Sequence, residues 1–330
     1  MENVTHTLTG YLFARAGLDR QTPHATAISI VAANIPDIDL VTFTSPINYL
    51  NYHRHLTHSL FVVPAMGALA VAVVALWLRL FRRDAQPVEW KSAWPVATVV
   101  ALTHPLLDLM NPYGIRLWLP FSARWDSWDA LFVWEPWLWV WLFGSVLVMW
   151  LVRRRGPSVE NARTSARIAG CAAAGLLAFI GLKSTLHGRA IEILQTIPAE
   201  GEAVQRFAAF PHAFDPFRWT GVIETSGDYR VFQLSGVGLA NSNNPSPPDA
   251  PRIFRKFTPG KELQPALENG VAEDYLRFAQ YAVGAVERSG DGYVIRLFDL
   301  RFGQGNTQRF VCTVVLDGRF RKVSERFEWQ

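Results

Sequence analysis

The chain has 330 residues, half of them apolar and 13% aromatic, with mean hydropathy +0.10, formal net charge +4 and pI near 9.2. That length suits two ordinary domains, and the positive hydropathy argues against a protein solvated on every side. Basic residues come in short runs beside apolar segments, such as Arg82-Arg83 and Arg153-Arg154-Arg155, rather than in a stripe interleaved with aromatics. This pattern signals topology and contact with anionic lipid and argues against a nucleic-acid partner.

Residues 4–17 predict a short helix with Thr5 as candidate N-cap and Gly17 as its stop. A second apolar run, Ala25 to Ala33, leads into Asn34-Ile35-Pro36-Asp37. Neither run spans about 30 Å of hydrocarbon alone, so both read as a re-entrant hairpin or as helices buried against longer ones. Four longer segments predict spans: Leu60–Leu78, Trp94–Met110, the tryptophan-rich Pro136–Val152, and the Ala/Gly-rich Ile168–Leu182, suited to close helix packing. Arginines and lysine concentrate in residues 79–93 and 153–167, which the positive-inside bias assigns to the cytoplasm. His58, His104 and Asp108 then lie at the outer face, with the chain after His187 on that side.

From Pro211 onward β signals dominate: Trp219–Thr225, a turn at Gly227-Asp228, and Tyr229–Leu234. A polar loop over 241–251 and a short helix over 271–285 follow. Three further alternating runs are Tyr293–Phe298, Arg309–Leu316 and Arg319–Trp329, with turns at 290–292 and 317–318. The expected architecture is an α-helical integral membrane domain over residues 1–187 and a C-terminal β-rich (α+β) domain over 188–330, the latter a small antiparallel sheet with one helix against it. Cys171 and Cys312 have no Cys or His at zinc spacing and read as small buried hydrophobes. Met1-Glu2-Asn3 lacks a basic n-region or cleavage site, so insertion is expected from internal segments.

Six of the eight histidines fall before residue 105. His104 and Asp108, four apart, share a helix face and form either half of a metal site or a buried histidine bonded to its own carboxylate. Pro36-Asp37-Ile38-Asp39 is either a capping turn or a ligand pair. His53-Arg54-His55-Leu56-Thr57-His58 is either a basic interfacial loop or a ligand cluster. His6, alone, would pass as a packed histidine. Together, His6, Asp37, Asp39, His53, His58, His104 and Asp108 supply the imidazole and carboxylate donors of a hydrolytic site with one or two ions, zinc or manganese, and no thiol. His55 is the least favoured of the histidines. Phosphate loops and a nucleophile elbow are absent from the sequence.

These residues carry a resemblance. Thr5-His6-Thr7-Leu8-Thr9-Gly10, Asn34-Ile35-Pro36-Asp37-Ile38-Asp39, His53 to Ser59, His104-Pro105-Leu106-Leu107-Asp108 and Asn111 to Ser122 resemble the YdjM-like family, over residues 1–140. That family is described as bacterial inner-membrane, metal-dependent hydrolases, some under LexA control. The resemblance implies a metal set of His6, Asp37, His58, His104 and Asp108, with Arg54, Tyr113, Arg116 and Arg124 nearby. Asp37, His58 and the His-x3-Asp pair are also similar to the ligand order of zinc-dependent phospholipases C, where a Glu often replaces this Asp. Ile115 departs from the family, which has a small hydroxyl residue there.

The expected activity is metal-dependent hydrolysis in the bacterial inner membrane, on a phosphoester of a lipid or lipid-linked substrate. In that expectation Asp39 or a metal-bound hydroxide handles the proton, and Arg54, Arg116 and Arg124 hold phosphate through guanidinium geometry. For Arg124, flanked by Trp125 and Trp128, interfacial anchoring is the alternative. The rival is a non-catalytic membrane protein with a structural metal site and a partner- or envelope-binding C-terminal domain.

Overall fold

The computed structural model describes residues 1–42, 44–198, 203–238, 250–303 and 310–328. Its contacts divide the chain into one unit of residues 1–39, 54–188 and 211–217 and another of residues 40–53, 189–210 and 218–330.

The first unit is helical. Its opening helix α1 (Asn3–Ala16) is capped by Glu2, whose carboxylate accepts the Thr5 N–H at 2.7 Å. The expected cap Thr5 sits inside the first turn instead, its hydroxyl on the same carboxylate. Helix α2 (Ala25–Asn34) runs into a 3-10 turn over Ile35–Thr42, while α3 (Pro46–Tyr52) belongs to the other unit. Then come α4 (Val63–Phe81), α5 (Trp90–Leu109), α6 (Pro136–Arg154) and α7 (Val159–Gln195). Gly10 permits the close approach of α1 and α2: a Cβ there would lie 2.6 Å from the Ser29 carbonyl oxygen and 2.8 Å from Ala33 Cβ.

Among the described residues, three helices are long and apolar enough to cross a membrane: α4, α6 and α7. Their exposed Leu76, Val140, Phe143, Leu147 and Leu177 give them outward apolar faces. The expected span Trp94–Met110 forms α5 but is not among the three. Lys91, His104, Asp108, Pro95 and Pro105 dilute its apolar character, and its Val96, Ala97, Val100, Ala101, His104 and Asp108 are buried. It is a central helix, joined to α2 and α4 in one apolar core and, through Leu107, to α1, α6 and α7 in a second.

Chain direction polarises this unit. Helices α1, α4 and α6 begin where α2 and α5 end: Trp139 Nε1 donates to Glu2 at 2.7 Å, and the Leu131 N–H to the Met110 carbonyl at 2.8 Å. At the opposite end, His24 Nε2 meets the Gln86 carbonyl at 2.8 Å, and Arg153 Nε donates to Ser165 at 3.2 Å. The histidines and aspartates gather at the first end and the arginine runs at the second.

The second unit holds two four-stranded sheets. One has the order β1 (Val204–Pro211), β2 (Trp219–Thr225), β3 (Asp228–Leu234), β4 (Arg252–Arg255). After the short α8 (Gln264–Leu267) and α9 (Val271–Phe278) comes the other, β5 (Ala282–Ser289), β6 (Gly292–Asp299), β7 (Val311–Leu316), β8 (Lys322–Glu328). Phe210, Val222, Val231, Tyr281, Val283 and Phe298 pack them into one core. Helix α9 buries Ala272, Tyr275 and Phe278 at three-residue spacing, and α3 joins it through Asn51 Nδ2 to Asp274 at 2.8 Å.

The single expected sheet is thus two. Strand β1 starts before Pro211, and the expected helix over 271–285 stops at Phe278. Its remainder, Ala282-Val283-Gly284-Ala285-Val286, pairs antiparallel with β6, because a short apolar run has no period that separates strand from helix until a partner edge decides. The expected loop over 241–251 lies outside the described residues up to 249, as does Arg309.

Candidate metal centre

His6 stands on α1, Asp37 and Asp39 on the 3-10 turn after α2, His58 on a 3-10 turn before α4, and His104 and Asp108 on the last turns of α5. His6, His58 and His104 are fully buried and Asp108 is 1% exposed.

Four donor atoms converge. His58 Nε2 and His104 Nε2 are 3.1 Å apart, and each lies 3.4 Å from Asp37 Oδ1. Asp108 Oδ2 is 3.4 Å from His58 Nε2 and 3.6 Å from His104 Nε2. Ligands about 2.0–2.1 Å from a tetrahedral metal stand about 3.3 Å from one another, so these spacings suit a shared ion. His6 stacks on His104 with ring centroids 3.7 Å apart and brings Nε2 to 3.4 Å from Asp108 Oδ1. Both ring nitrogens of His6 and Asp108 Oδ2, all buried, lack a hydrogen bond. Buried polar atoms seldom go unsatisfied, and a cation facing them removes the anomaly.

The far side of each imidazole is already engaged. His104 Nδ1 donates to the Ala33 carbonyl at 2.6 Å. His58 Nδ1 faces Thr57 Oγ1 at 3.1 Å and Asp39 Oδ2 at 3.4 Å, and Thr57 donates to Asp39 at 3.0 Å. A proton fixed on Nδ1 leaves the Nε2 lone pair aimed into the cluster, the arrangement usual behind metal-bound histidines. Burial pushes the Asp37 carboxyl up, but hydrogen bonds with His104 and His58 outweigh it and hold it well below the ordinary carboxylate range. Burial, reinforced by the neighbouring His104, lowers the His6 imidazole well below its usual value, which keeps that ring neutral. A charged Asp37 and a neutral His6 are the forms in which a divalent ion is bound.

Arg54 is buried behind Asp108. Its guanidinium donates to Asp108 Oδ1 at 3.1 Å and Asn111 Oδ1 at 3.0 Å and lies 4.7 Å from the Tyr113 ring centroid. Its backbone adopts φ 60°, a region few residues other than glycine use. The Arg54 N–H donates to Asp39 at 3.0 Å, and its carbonyl accepts from the Arg116 N–H at 3.1 Å. The Arg116 side chain reaches His55 Nε2 at 2.5 Å and stacks 5.2 Å from Trp125. Burial, then the Arg116 charge, lowers the His55 pKa. Arg124 is 68% exposed and pairs with Asp126 at 2.7 Å.

The structure therefore brings His6, Asp37, His58, His104 and Asp108 together, with Asp39 and Arg54 directly behind. His53 is also buried, at the end of α3, with its ring 4.5 Å from Tyr49. Two contributors were missed: Asn111, whose place three residues beyond Asp108 was a usable signal, and the Ala33 carbonyl, which as backbone carries none.

Fold and site define a membrane protein with a buried His/Asp group able to hold a metal ion. The chain belongs to the YdjM inner membrane protein family, whose sequence model matches residues 1–187. A second model, the YfhP C-terminal alpha/beta plait domain, matches residues 262–330 and accounts for α9 and strands β5 to β8. The chain is 29% identical over 126 residues to the uncharacterized protein YfhP of Bacillus subtilis (strain 168), a match covering 38% of this chain and 36% of that one. No solved structure matches it significantly.

Proposed function

We propose that this chain is a metal-dependent hydrolase of the bacterial inner membrane, acting on a phosphoester of a lipid or lipid-linked substrate. The observation that carries this reading is the convergence of His58 Nε2, His104 Nε2, Asp37 Oδ1 and Asp108 Oδ2 at 3.1–3.6 Å spacings. A divalent ion, zinc by the donor chemistry with manganese next, supplies Lewis acidity and a nucleophilic water near neutral pH. His6, with His104 and Asp108, forms a further group of candidate donors beside the first.

The neighbouring residues take roles from what they touch. Asp39 sits on the Nδ1 side of His58, so its role moves from proton handling to orienting that ring. Arg54, held by Asp108 and Asn111, positions the carboxylate. Arg116, half-buried beside His55, remains the residue for a substrate phosphate, which guanidinium matches in a bidentate manner. The arginine-rich end faces the cytoplasm by charge bias, which directs the donor end outward and the C-terminal domain to the extracytoplasmic side.

One observation favours the rival, a structural metal in a non-catalytic protein: complete burial of the three histidines, as closed sites require. The deciding experiment pairs metal analysis of purified protein with turnover assays on phospholipids and lipid-linked phosphoesters. The hydrolase reading expects turnover that chelation abolishes and metal restores, and Arg116→Ala that keeps its metal but raises KM. Bound metal with no turnover on any phosphoester favours the structural role.

A further inference from the structure

The end of the helical unit opposite the donor cluster holds a cavity of ≈ 830 Å³ between the C-terminal turn of α1, the following 3-10 turn (Leu18–Arg20) and the first turns of α7. It is lined by Arg15, Asp19, Arg20, Arg163 and Arg167, with Val159 and alanines making up the apolar remainder. Asp19 is the lone anion of that lining and is paired with Arg15 at 3.0 Å. Buried Arg15 Nε has no hydrogen-bond partner, and Arg20, Arg163 and Arg167 are exposed. Arg163 and Arg167, four apart, share a face of α7. The volume falls within the about 300–1,000 Å³ typical of ligand sites.

We infer that this cavity binds a phosphate-bearing anion, supplied by the headgroup of an anionic phospholipid in the adjoining leaflet. Four guanidinium groups against one carboxylate leave a surplus of positive charge that phosphate satisfies through bidentate, charge-assisted hydrogen bonds. Two further observations indicate the lipid source. Immediately beyond Arg167 the same helix becomes the apolar stretch of a candidate span, so a headgroup held by Arg163 and Arg167 has an acyl path along α7. Close in sequence on α6, Arg154 lies 4.1 Å from the Trp150 ring, an aromatic-basic pairing of the membrane interface. Basic pockets between helices at this level are established lipid-headgroup sites. The inference is independent of the hydrolase reading, because none of its residues contributes to the donor cluster.

The test uses full-length purified protein in neutral detergent, titrated with short-chain phosphatidic acid, short-chain phosphatidylcholine and inorganic phosphate, with binding read by native mass spectrometry. Phosphatidic acid is expected to bind at least about tenfold more tightly than phosphatidylcholine, and the Arg163→Ala/Arg167→Ala variant to lose about that factor. Arg20→Ala, on an exposed turn with no helix to disrupt, loses part of the affinity and guards against a misfolded double variant. A Lys pair at 163 and 167 recovers only part, since an ammonium lacks the guanidinium fork. Inorganic phosphate competing as well as the lipid does would keep the anion site but overturn its lipid source. Equal binding of both lipids, or arginine variants that bind like wild type, would overturn the inference.

Discussion

At one end of the helical unit, His6, His58, His104 and Asp108 are at most 1% exposed and packed against one another. At the other, Arg20, Arg163 and Arg167 stand exposed around a cavity. The same helices supply both ends, so the difference lies in what each leaves unsatisfied. Buried imidazoles and carboxylates cannot borrow water, and a partner must come from within the cluster or from a cation. Exposed arginines keep their hydration until an anion replaces it. Substitution at the donor end should therefore disturb fold and metal together, whereas substitution at the arginine end should alter ligand binding alone.

The largest effect that would break this contrast is expected at Arg54. Arg54→Ala removes a buried charged partner from Asp108 and a donor from Asn111 and should cost about 3–5 kcal/mol, read as a lowered melting temperature. An Arg54→Ala protein as stable as wild type would mean that the donor end is solvated after all. Metal removal comes next. At free metal 100-fold above Kd, the bound ion should contribute about 2.7 kcal/mol, so chelation should lower melting of the wild type but not of His58→Ala.

Gly10→Ala sharpens the comparison by acting on the packing beneath the site. Its Cβ would stand 2.6 Å from the Ser29 carbonyl oxygen, and overpacking of this kind costs about 1–3 kcal/mol. Because α1 carries His6, metal affinity should fall as well, measurable by competition with a chromophoric chelator. Asp39→Asn should retain metal with affinity reduced about 10–100-fold, as expected for a residue that orients a ligand; unchanged affinity would remove Asp39 from that role.

The smallest expected effect lies in the β-rich unit. Burial, then Glu325, pushes the Cys312 thiol up to about 12 from 9.0. Between those values the folded state keeps a proton that the unfolded state releases, so this contribution is present below pH 9 and lost as pH rises towards 12. At pH 8 Cys312 should resist alkylation whether or not metal has been chelated. Rapid labelling on chelation alone would show the two units unfolding together.

Much of this was legible in the chain, for identifiable reasons. The spacing of His104 and Asp108 prescribes a shared helix face, and the apolar lengths of α4, α6 and α7 announce candidate spans. Helix α5 falls outside the three candidate spans because Lys91, His104, Asp108 and its two prolines dilute the apolar run that the sequence shows over Trp94–Met110. Asp39 and Arg54 were legible as polar residues near the site, but which side of His58 a carboxylate occupies depends on ring orientation, which the sequence does not carry. The cavity beside Arg163 was foreshadowed only as a charge run, because its other wall, Arg15 to Arg20, comes from the opposite end of the sequence.

The central claim is that the buried His/Asp group holds a metal, and X-ray absorption spectroscopy on full-length protein, loaded with zinc and dialysed, tests it most directly. The account predicts a stoichiometric ion with nitrogen and oxygen ligands at about 2.0–2.1 Å and no sulfur, lost from His58→Ala and His104→Ala and retained by Arg163→Ala. A folded wild-type protein that keeps no metal, or one whose ion survives both histidine substitutions, would contradict it.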